Sequence, residues 1–288
     1  MASLTSTAFL DVPGARLRYE LRGSGPLLLL MGSPMDAAAF APLAEELAGH
    51  YTVVSHDPRG VAGSTIADIE QDSTPELRAS DVIAVMDALG ADTADVFGSS
   101  GGAVTGLALV ERHPDRVRTL VAHEPPLLDL LPDAAERRAE VDDMIETFQQ
   151  QGSYPAWRKF MISAGFDVEE SGEDNSDEGA PAPPPGDPAE QEAASARFFC
   201  HELRGTTRFL PDIPKLTAGP ARVVVGLGAD SAGLTTNPTS NALADLLETR
   251  PLIFPGDHGG FLTDPAAFAQ VLRKALAPMM SGVGTDHQ

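Results

Sequence analysis

Short apolar runs alternate with helix-length amphipathic segments along most of the chain, and this alternation constrains the fold more than any other feature. Such a rhythm is typical of βαβ units that build a mostly parallel sheet flanked by helices. Pro13 and Gly14 separate the first two runs, which therefore predict an antiparallel hairpin. The eight predicted strands are residues 7–12, 17–21, 27–31, 52–55, 94–97, 118–122, 221–226 and 251–254. Predicted helices in the same rhythm are residues 41–47, 75–89, 103–112 and 265–276.

The alternation stops between residues 127 and 220, after the sixth predicted strand. Helical patterns cover residues 133–151, 155–163 and 188–203, and no strand pattern is present between them. We therefore predict an α/β core made of residues 1–126 and 221–288, with a helical lid at 127–220. Open α/β sheets bind ligands at the carboxyl ends of their strands, so the lid is expected to cover that edge.

An acidic, proline-rich segment lies inside the predicted lid, at residues 167–192. It contains ten Asp or Glu residues and no Lys or Arg, together with Pro181 and the run 183–185 of prolines. A segment with so few apolar residues and so much charge cannot bury enough surface to fold alone. We expect it to be a largely disordered surface loop.

The overall charge limits the classes of partner. With 42 acidic residues and 20 Lys or Arg, the chain carries a formal charge of −22. Nucleic acids and anionic membranes are polyanions that such a charge repels. A small neutral or cationic molecule is the expected partner, and the oligomeric state stays open.

Cysteine content and apolar runs point to the cytoplasm. Cys200 is the single cysteine, which excludes an intramolecular disulfide and a thiolate metal cage. Its neighbour His201 does not make it a nucleophile, since adjacent residues on a helix point in different directions. The first residues lack the pattern of a secretory signal, and no apolar run approaches the length that spans a bilayer.

The motif with the most chemical content is the run GSSGG at residues 98–102. A predicted strand enters it and a helix rich in small residues leaves it. This context is that of a nucleophile elbow, a sharp turn that lifts the middle serine, Ser100, above the sheet edge. Gly98 and Gly102 would remove the Cβ atoms that so tight a turn cannot accommodate. The alternative interpretations are a Gly/Ser phosphate-binding loop, although no Walker lysine follows, and a plain turn.

A serine hydroxyl needs a base to take its proton. His258 stands in PGDHGGF, directly after the last predicted strand, where a catalytic imidazole at the carboxyl edge is expected. Among the other histidines, His56 also follows a strand. Its neighbours Asp57 and Arg59 favour a solvated or structural loop there.

Two carboxylates could orient that base. Glu124 follows the predicted strand 118–122, and Asp230 follows the strand 221–226. Both are predicted at the active edge. Pro125 should force Glu124 into an extended conformation, which would hold its carboxylate at the tip of the strand.

The tetrahedral intermediate of acyl transfer carries an oxyanion, which needs preorganised donors. The backbone N–H of Gly101, directly after Ser100, is one expected donor. The loop MGSPM at residues 31–35 follows the third predicted strand and should supply the second donor from Ser33. Its alternative interpretation is an ordinary Gly-Ser-Pro turn.

Together, MGSP, DPRGVAGS, GSSGG and GDHGGF resemble the α/β-hydrolase superfamily over nearly the whole chain. Most members have His-Gly in the oxyanion loop, where this chain has Met31-Gly32. Many place an Asp at the position of Ser231. The stretch 96–126 is similar to the zearalenone lactonases, in which a Glu in a His-Glu-x-Pro segment completes the triad. This resemblance favours Glu124 over Asp230 and suggests lactones as substrates.

The resemblance implies a serine esterase or lactonase, a carboxylic-ester hydrolase of class EC 3.1.1, that needs no metal or organic cofactor. Ser100, His258 and Glu124 would form its triad, and Ser33 and Gly101 its oxyanion hole. A cofactor-free haloperoxidase or a C–C bond hydrolase would use the same triad. A ligand-binding protein with slow turnover is a further alternative on the same fold.

Overall fold

The computed structural model describes residues 5–166 and 187–277. Within these ranges the chain forms nine strands: β1 (Ser6–Val12), β2 (Ala15–Gly23), β3 (Leu27–Met31), β4 (Thr52–His56), β5 (Thr65–Ile66), β6 (Ala94–Ser99), β7 (Val117–His123), β8 (Arg222–Gly228) and β9 (Leu252–Phe254). The α-helices there are α1 (Ala41–Leu47), α2 (Pro75–Ala88), α3 (Gly101–Arg112), α4 (Ala134–Gln151), α5 (Ser153–Ala164), α6 (Pro188–His201), α7 (Leu203–Thr207), α8 (Ile213–Ala218), α9 (Thr236–Leu246), α10 (Gly260–Thr263) and α11 (Pro265–Leu276).

The strands form one sheet in the order β1-β2-β4-β3-β6-β7-β8-β9. Every pair from β4 through to β9 in this order is parallel. The predicted hairpin is confirmed: β1 and β2 pair antiparallel, with Val12 opposite Ala15 across the turn. The ninth strand was not predicted. It is β5, two residues long, and it pairs with the start of β2. So short a segment has no periodicity from which a strand could be recognised.

Apolar residues on the central strands alternate between two helical layers. Leu28 and Leu30 of β3 belong to a buried cluster with residues of α1 and α11. Leu29 and Met31 belong to the cluster on the opposite face, with residues of α2 and α3. Burial of each such side chain contributes about 1.5–3 kcal/mol. Helices cover both faces of the sheet, so the loops at the carboxyl ends of the strands are where functional residues are expected.

The helices α4 to α8 lie between β7 and β8 in the chain, and they are called the helical insertion below. The insertion has its own small apolar cluster, which includes Met144, Phe198 and Phe199. Trp157 stacks on Phe198 with ring centroids 4.9 Å apart. Part of the expected disordered segment, residues 167–186, lies outside the described residues. The expectation of disorder was wrong for residues 188–192, which form the start of α6. The Asp187 carboxylate caps this helix by accepting a hydrogen bond from the Ala189 N–H.

No helix in the described ranges is long and apolar enough to cross a membrane.

Candidate active site

Three of the predicted site residues follow strands that end at one edge of the sheet. Ser100 follows β6, Glu124 follows β7, and His258 lies in the loop after β9. These strands run parallel, so their carboxyl ends point in the same direction. The fold therefore gathers residues that are far apart in the sequence.

Ser100 occupies a strained turn between β6 and α3. Its backbone angles are φ 57° and ψ −125°, a conformation that L-residues rarely adopt and that is characteristic of functional sites. The flanking glycines are required by contact, as predicted. A Cβ on Gly98 would lie 2.4 Å from the Gly102 carbonyl oxygen, and a Cβ on Gly102 would lie 2.2 Å from that of Met31. Ser100 N–H donates to the His123 carbonyl at 2.9 Å, which ties the turn to the end of β7.

The Glu124 carboxylate is fully buried and accepts hydrogen bonds from three directions. Its Oε2 lies 2.7 Å from His258 Nδ1. The Thr236 hydroxyl donates to Oε2 at 2.8 Å. The Gly228 N–H donates to Oε1, also at 2.8 Å. A carboxylate on Nδ1 places the proton of the neutral imidazole there and leaves Nε2 as a proton acceptor.

The backbone of Glu124 is not extended, so that expectation was wrong. Its φ is 50°, in the left-handed region. Pro125 disfavours a right-handed helical conformation at the preceding residue, but it does not by itself select the extended one. The Glu124 N–H donates to the Gly226 carbonyl at 3.0 Å. Together with the carboxylate hydrogen bonds, this contact offsets a backbone strain of about 1–3 kcal/mol.

The alternative acid, Asp230, lies in a different environment. Its side chain is exposed. Its backbone N–H donates to the Gly256 carbonyl at 3.0 Å. No hydrogen bond joins its carboxylate to His258 in the described part of the chain. The structure therefore brings His258 together with Glu124 and not with Asp230.

The protonation states around the imidazole follow from burial and pairing. Burial by itself would raise the pKa of Glu124, but its hydrogen bond with His258 lowers that pKa to about 2. The carboxylate is therefore ionised at neutral pH. Burial lowers the pKa of His123 to about 3, so this second imidazole is neutral. His123 stacks on His258 with ring centroids 6.2 Å apart and adds no positive charge beside it.

The two predicted oxyanion donors lie side by side. A Cβ on Gly101 would approach the Ser33 carbonyl oxygen to 2.9 Å, so the loop after β3 packs directly on the start of α3. Gly101 is the first residue of α3, and its N–H therefore has no carbonyl one turn earlier in the helix. Ser33 is buried, and a cis peptide bond joins it to Pro34.

The loop after β4 is hydrogen-bonded to the segment that follows the oxyanion loop. Asp57 accepts the Ala37 N–H at 2.9 Å and the Gly63 N–H at 3.0 Å. Arg59 is buried and forms two hydrogen bonds with the Asp81 carboxylate, at 2.7 and 2.5 Å. Asp57 and Arg59 are both 1% exposed, so this loop is structural rather than solvated.

Ser100, His258, Ser33 and Gly101 all line one cavity of about 220 Å³ under the helical insertion. Most of its wall is apolar. These wall residues are Met35, Leu128, Val141, Met144, Phe160, Phe166, Phe198, Leu203 and Leu234. No hydrogen bond joins the Ser100 hydroxyl to His258 in the described ranges. In free enzymes such contacts are often long and shorten when substrate binds.

Cys200 and His201 do not form a reactive pair. Burial raises the pKa of the Cys200 thiol, which keeps it protonated. His201 Nδ1 lies 3.1 Å from the Asp72 carboxylate, away from Cys200. Among the described residues, no group of three or more His, Cys, Asp or Glu side chains is arranged to hold a metal ion.

The chain is 31% identical over 275 residues to an uncharacterized hydrolase, YraK, of Bacillus subtilis, an alignment that covers 93% of this chain and 94% of that protein. A family model described as the alpha/beta hydrolase fold matches residues 25–164. The chain belongs to the α/β-hydrolase family.

Two further relatives of this α/β hydrolase are informative. A zearalenone hydrolase of Cladophialophora bantiana is 36% identical over 124 residues, which is 42% of this chain and 47% of that protein. A thermophilic esterase from Thermogutta terrifontis superposes with a TM-score of 0.69 at 19% identity, covering 95% of this chain and 97% of the esterase. At that identity the superposition shows the shared fold alone.

Sequence reasoning missed three residues around the site of this α/β hydrolase. Thr236 donates to Glu124, and His123 packs against His258. Glu202 of the insertion accepts a hydrogen bond from the Ser33 hydroxyl. His123 is the histidine of the His-Glu-x-Pro segment that contains Glu124, which was a usable signal. Glu202 belongs to the predicted helix 188–203, and Thr236 begins α9, a helix that was not predicted. Neither residue stands in a distinguishing motif, so only folding reveals them.

Proposed function

We propose that this α/β hydrolase cleaves a neutral carboxylic ester or lactone through an acyl-enzyme on Ser100. His258 Nε2 takes the Ser100 proton as the hydroxyl oxygen attacks the substrate carbonyl carbon. The Ser33 and Gly101 amides stabilise the oxyanion. Protonated His258 then gives its proton to the leaving alkoxide, and a water deprotonated by the same imidazole hydrolyses the acyl-enzyme.

One observation carries the proposal: the ionised Glu124 lies 2.7 Å from His258 Nδ1, and the same imidazole shares a cavity with Ser100. A buried carboxylate on Nδ1 fixes the ring orientation and stabilises the imidazolium that forms during attack. Side chains and backbone amides supply every group in this mechanism, so it needs no cofactor.

The cavity wall supports a neutral, largely apolar substrate. Apolar side chains surround Ser100 from the insertion, the oxyanion loop and the loop after β8. The formal charge of −22 gives no long-range attraction to an anionic substrate. The partial similarity to a zearalenone hydrolase supports lactones as one substrate class. A cavity of about 220 Å³ suits a short or medium acyl chain.

Hydrolysis of p-nitrophenyl butyrate and of a panel of neutral lactones tests this proposal. Ser100→Ala and His258→Ala should each lower kcat by about 10⁴-fold or more, since a nucleophile without its base, or a base without its nucleophile, is nearly inactive. A fluorophosphonate probe should label the wild-type protein and leave Ser100→Ala unlabelled.

His201→Ala is the matched control, because His201 also pairs with a carboxylate but lies outside the cavity. We expect it to retain wild-type activity. Turnover by Ser100→Ala at the wild-type rate would contradict the proposed acyl-enzyme.

A further inference from the structure

A buried hydrogen bond connects the helical insertion to the oxyanion loop. The Ser33 hydroxyl donates to Glu202 Oε2 at 2.6 Å, across 169 residues of sequence. Ser33 is 4% exposed and Glu202 is 1% exposed, so solvent does not screen the contact. A charged acceptor makes this bond stronger than one between neutral groups.

Glu202 lies beside a buried cation, Arg197. Its second oxygen, Oε1, lies 3.9 Å from Arg197 Nε, and Arg197 is 5% exposed. Arg197 is anchored to the core through its Nη1, which donates to the Gln71 carbonyl at 2.7 Å. A buried carboxylate requires such charge partners. The Glu202 carboxylate therefore has a buried charge partner on one oxygen and the Ser33 hydroxyl on the other.

A chain of hydrogen bonds also connects the same part of the insertion to α3, the helix that follows Ser100. Thr206 lies one turn after Glu202, and its hydroxyl accepts from Arg78 Nη2 at 2.9 Å. Arg78 Nε donates to the Thr105 hydroxyl at 2.9 Å, which in turn donates to the Gly101 carbonyl at 3.1 Å. Residues 202 and 206 are thus linked to the two segments that carry the proposed oxyanion donors.

From this geometry we propose that Glu202 is a positioning residue, which holds Ser33 so that its backbone N–H faces the oxyanion. The inference rests on the proposed function, because it assigns Glu202 a part in the same acyl transfer. With the hydroxyl bound to Glu202, the Cα–Cβ direction of Ser33 is restrained, and so is the adjoining peptide. Oxyanion stabilisation depends on donors that are in place before the charge develops.

Ser33→Ala is the primary test, since it keeps the backbone N–H and removes the hydroxyl that Glu202 holds. On p-nitrophenyl butyrate we expect kcat to fall by about 10- to 100-fold, with KM changed less than about threefold, because the contact acts on the transition state. Glu202→Gln keeps an acceptor oxygen for Ser33. It should retain kcat within about threefold, although it leaves Arg197 without its counter-charge.

The double variant Ser33→Ala/Glu202→Gln should be no slower than Ser33→Ala, because the bond is already absent. Ser195→Ala is the matched control for stability. Ser195 is also buried in the insertion, and its hydroxyl accepts from Trp157 Nε1 at 2.9 Å. Ser195→Ala should lower the melting temperature by a similar amount and leave kcat unchanged, with all assays run well below the transition.

Wild-type kcat in Ser33→Ala, while Ser100→Ala is inactive, would overturn the role of Glu202 and leave the proposed function standing. A change confined to KM would also overturn it, since the contact would then shape binding rather than the transition state. Equal losses of kcat in Glu202→Gln and Ser33→Ala would also support the role of Glu202, and would show that a neutral acceptor cannot hold the Ser33 hydroxyl. Full activity of Ser100→Ala would instead remove the proposed function itself.

Discussion

The loops that follow β7 and β8 each carry a carboxylate near the strand end, but only one of these carboxylates contacts His258. The two strands are parallel neighbours, and each is followed by a carboxylate at the same edge of the sheet. Glu124, after β7, is buried and accepts hydrogen bonds from His258, Thr236 and Gly228. Asp230, after β8, is exposed.

The difference shows that a place at a strand end does not make a carboxylate a partner for the imidazole. Glu124 has a left-handed backbone, and its buried carboxylate lies against His258 in the loop after β9. The end of β8 takes part through its backbone, since the Gly228 N–H donates to Glu124. The loop after β8 thus stabilises the Glu124 carboxylate and does not supply a second carboxylate to His258.

Among variants that compare these two loops, Glu124→Gln has the largest expected effect. The amide cannot stabilise the imidazolium, and it favours the wrong tautomer of His258. We expect kcat for p-nitrophenyl butyrate to fall by about 10³–10⁴-fold, with little change in KM. A residual kcat within tenfold of the wild-type value would contradict the role of Glu124 as the carboxylate that supports His258.

The next largest effect is expected in the pH dependence of stability, which should differ between Glu124 and Asp230 variants. The pKa of Glu124 is lowered from 4.5 to about 2, so its carboxylate stabilises the fold above pH 4.5, and this contribution is lost as the pH falls from 4.5 to 2. The amount is on the order of 3 kcal/mol. Urea unfolding at a series of pH values should show a shallower decline for Glu124→Gln than for the wild type. Asp230→Asn is the matched control and should follow the wild-type curve.

A smaller effect is expected from Thr236→Val, which removes one donor to Glu124 without changing the size of the side chain. The loss of a hydrogen bond to a charged group of about 1.5 kcal/mol corresponds to roughly tenfold in kcat. Thr147→Val is a suitable control, since Thr147 is buried in α4 and donates to the Asp143 carbonyl instead. Equal losses of kcat in both variants would mean that the effect is a general one on stability.

The smallest effect is expected from Asp230→Asn. The exposed side chain should change kcat by less than about twofold and the free energy of unfolding by less than about 0.5 kcal/mol. Steady-state kinetics and urea denaturation measure both quantities. A large loss of kcat here would mean that the loop after β8 supplies the acid during turnover.

Much of the fold could be predicted because its signals are local. The apolar runs 27–31 and 94–97 became β3 and the start of β6, and residues 41–47 and 265–276 form α1 and α11 as predicted. The two-residue β5 could not be predicted, because two residues carry no periodic pattern. The backbone of Glu124 was mispredicted, since a preference set by Pro125 was overridden by hydrogen bonds from β8 and α9.

The amino-acid sequence alone determined the α/β-hydrolase fold, the elbow at Ser100 and the loop that carries His258, because each rests on residues adjacent in the chain. Tertiary structure decided the rest. It brought the Glu124 carboxylate and not that of Asp230 to His258, and it placed Glu202 against Ser33. Position at a strand end left both carboxylates open, and only the resemblance favoured Glu124. Side-chain direction, burial and distance between remote segments made the choice, because these depend on the folded chain.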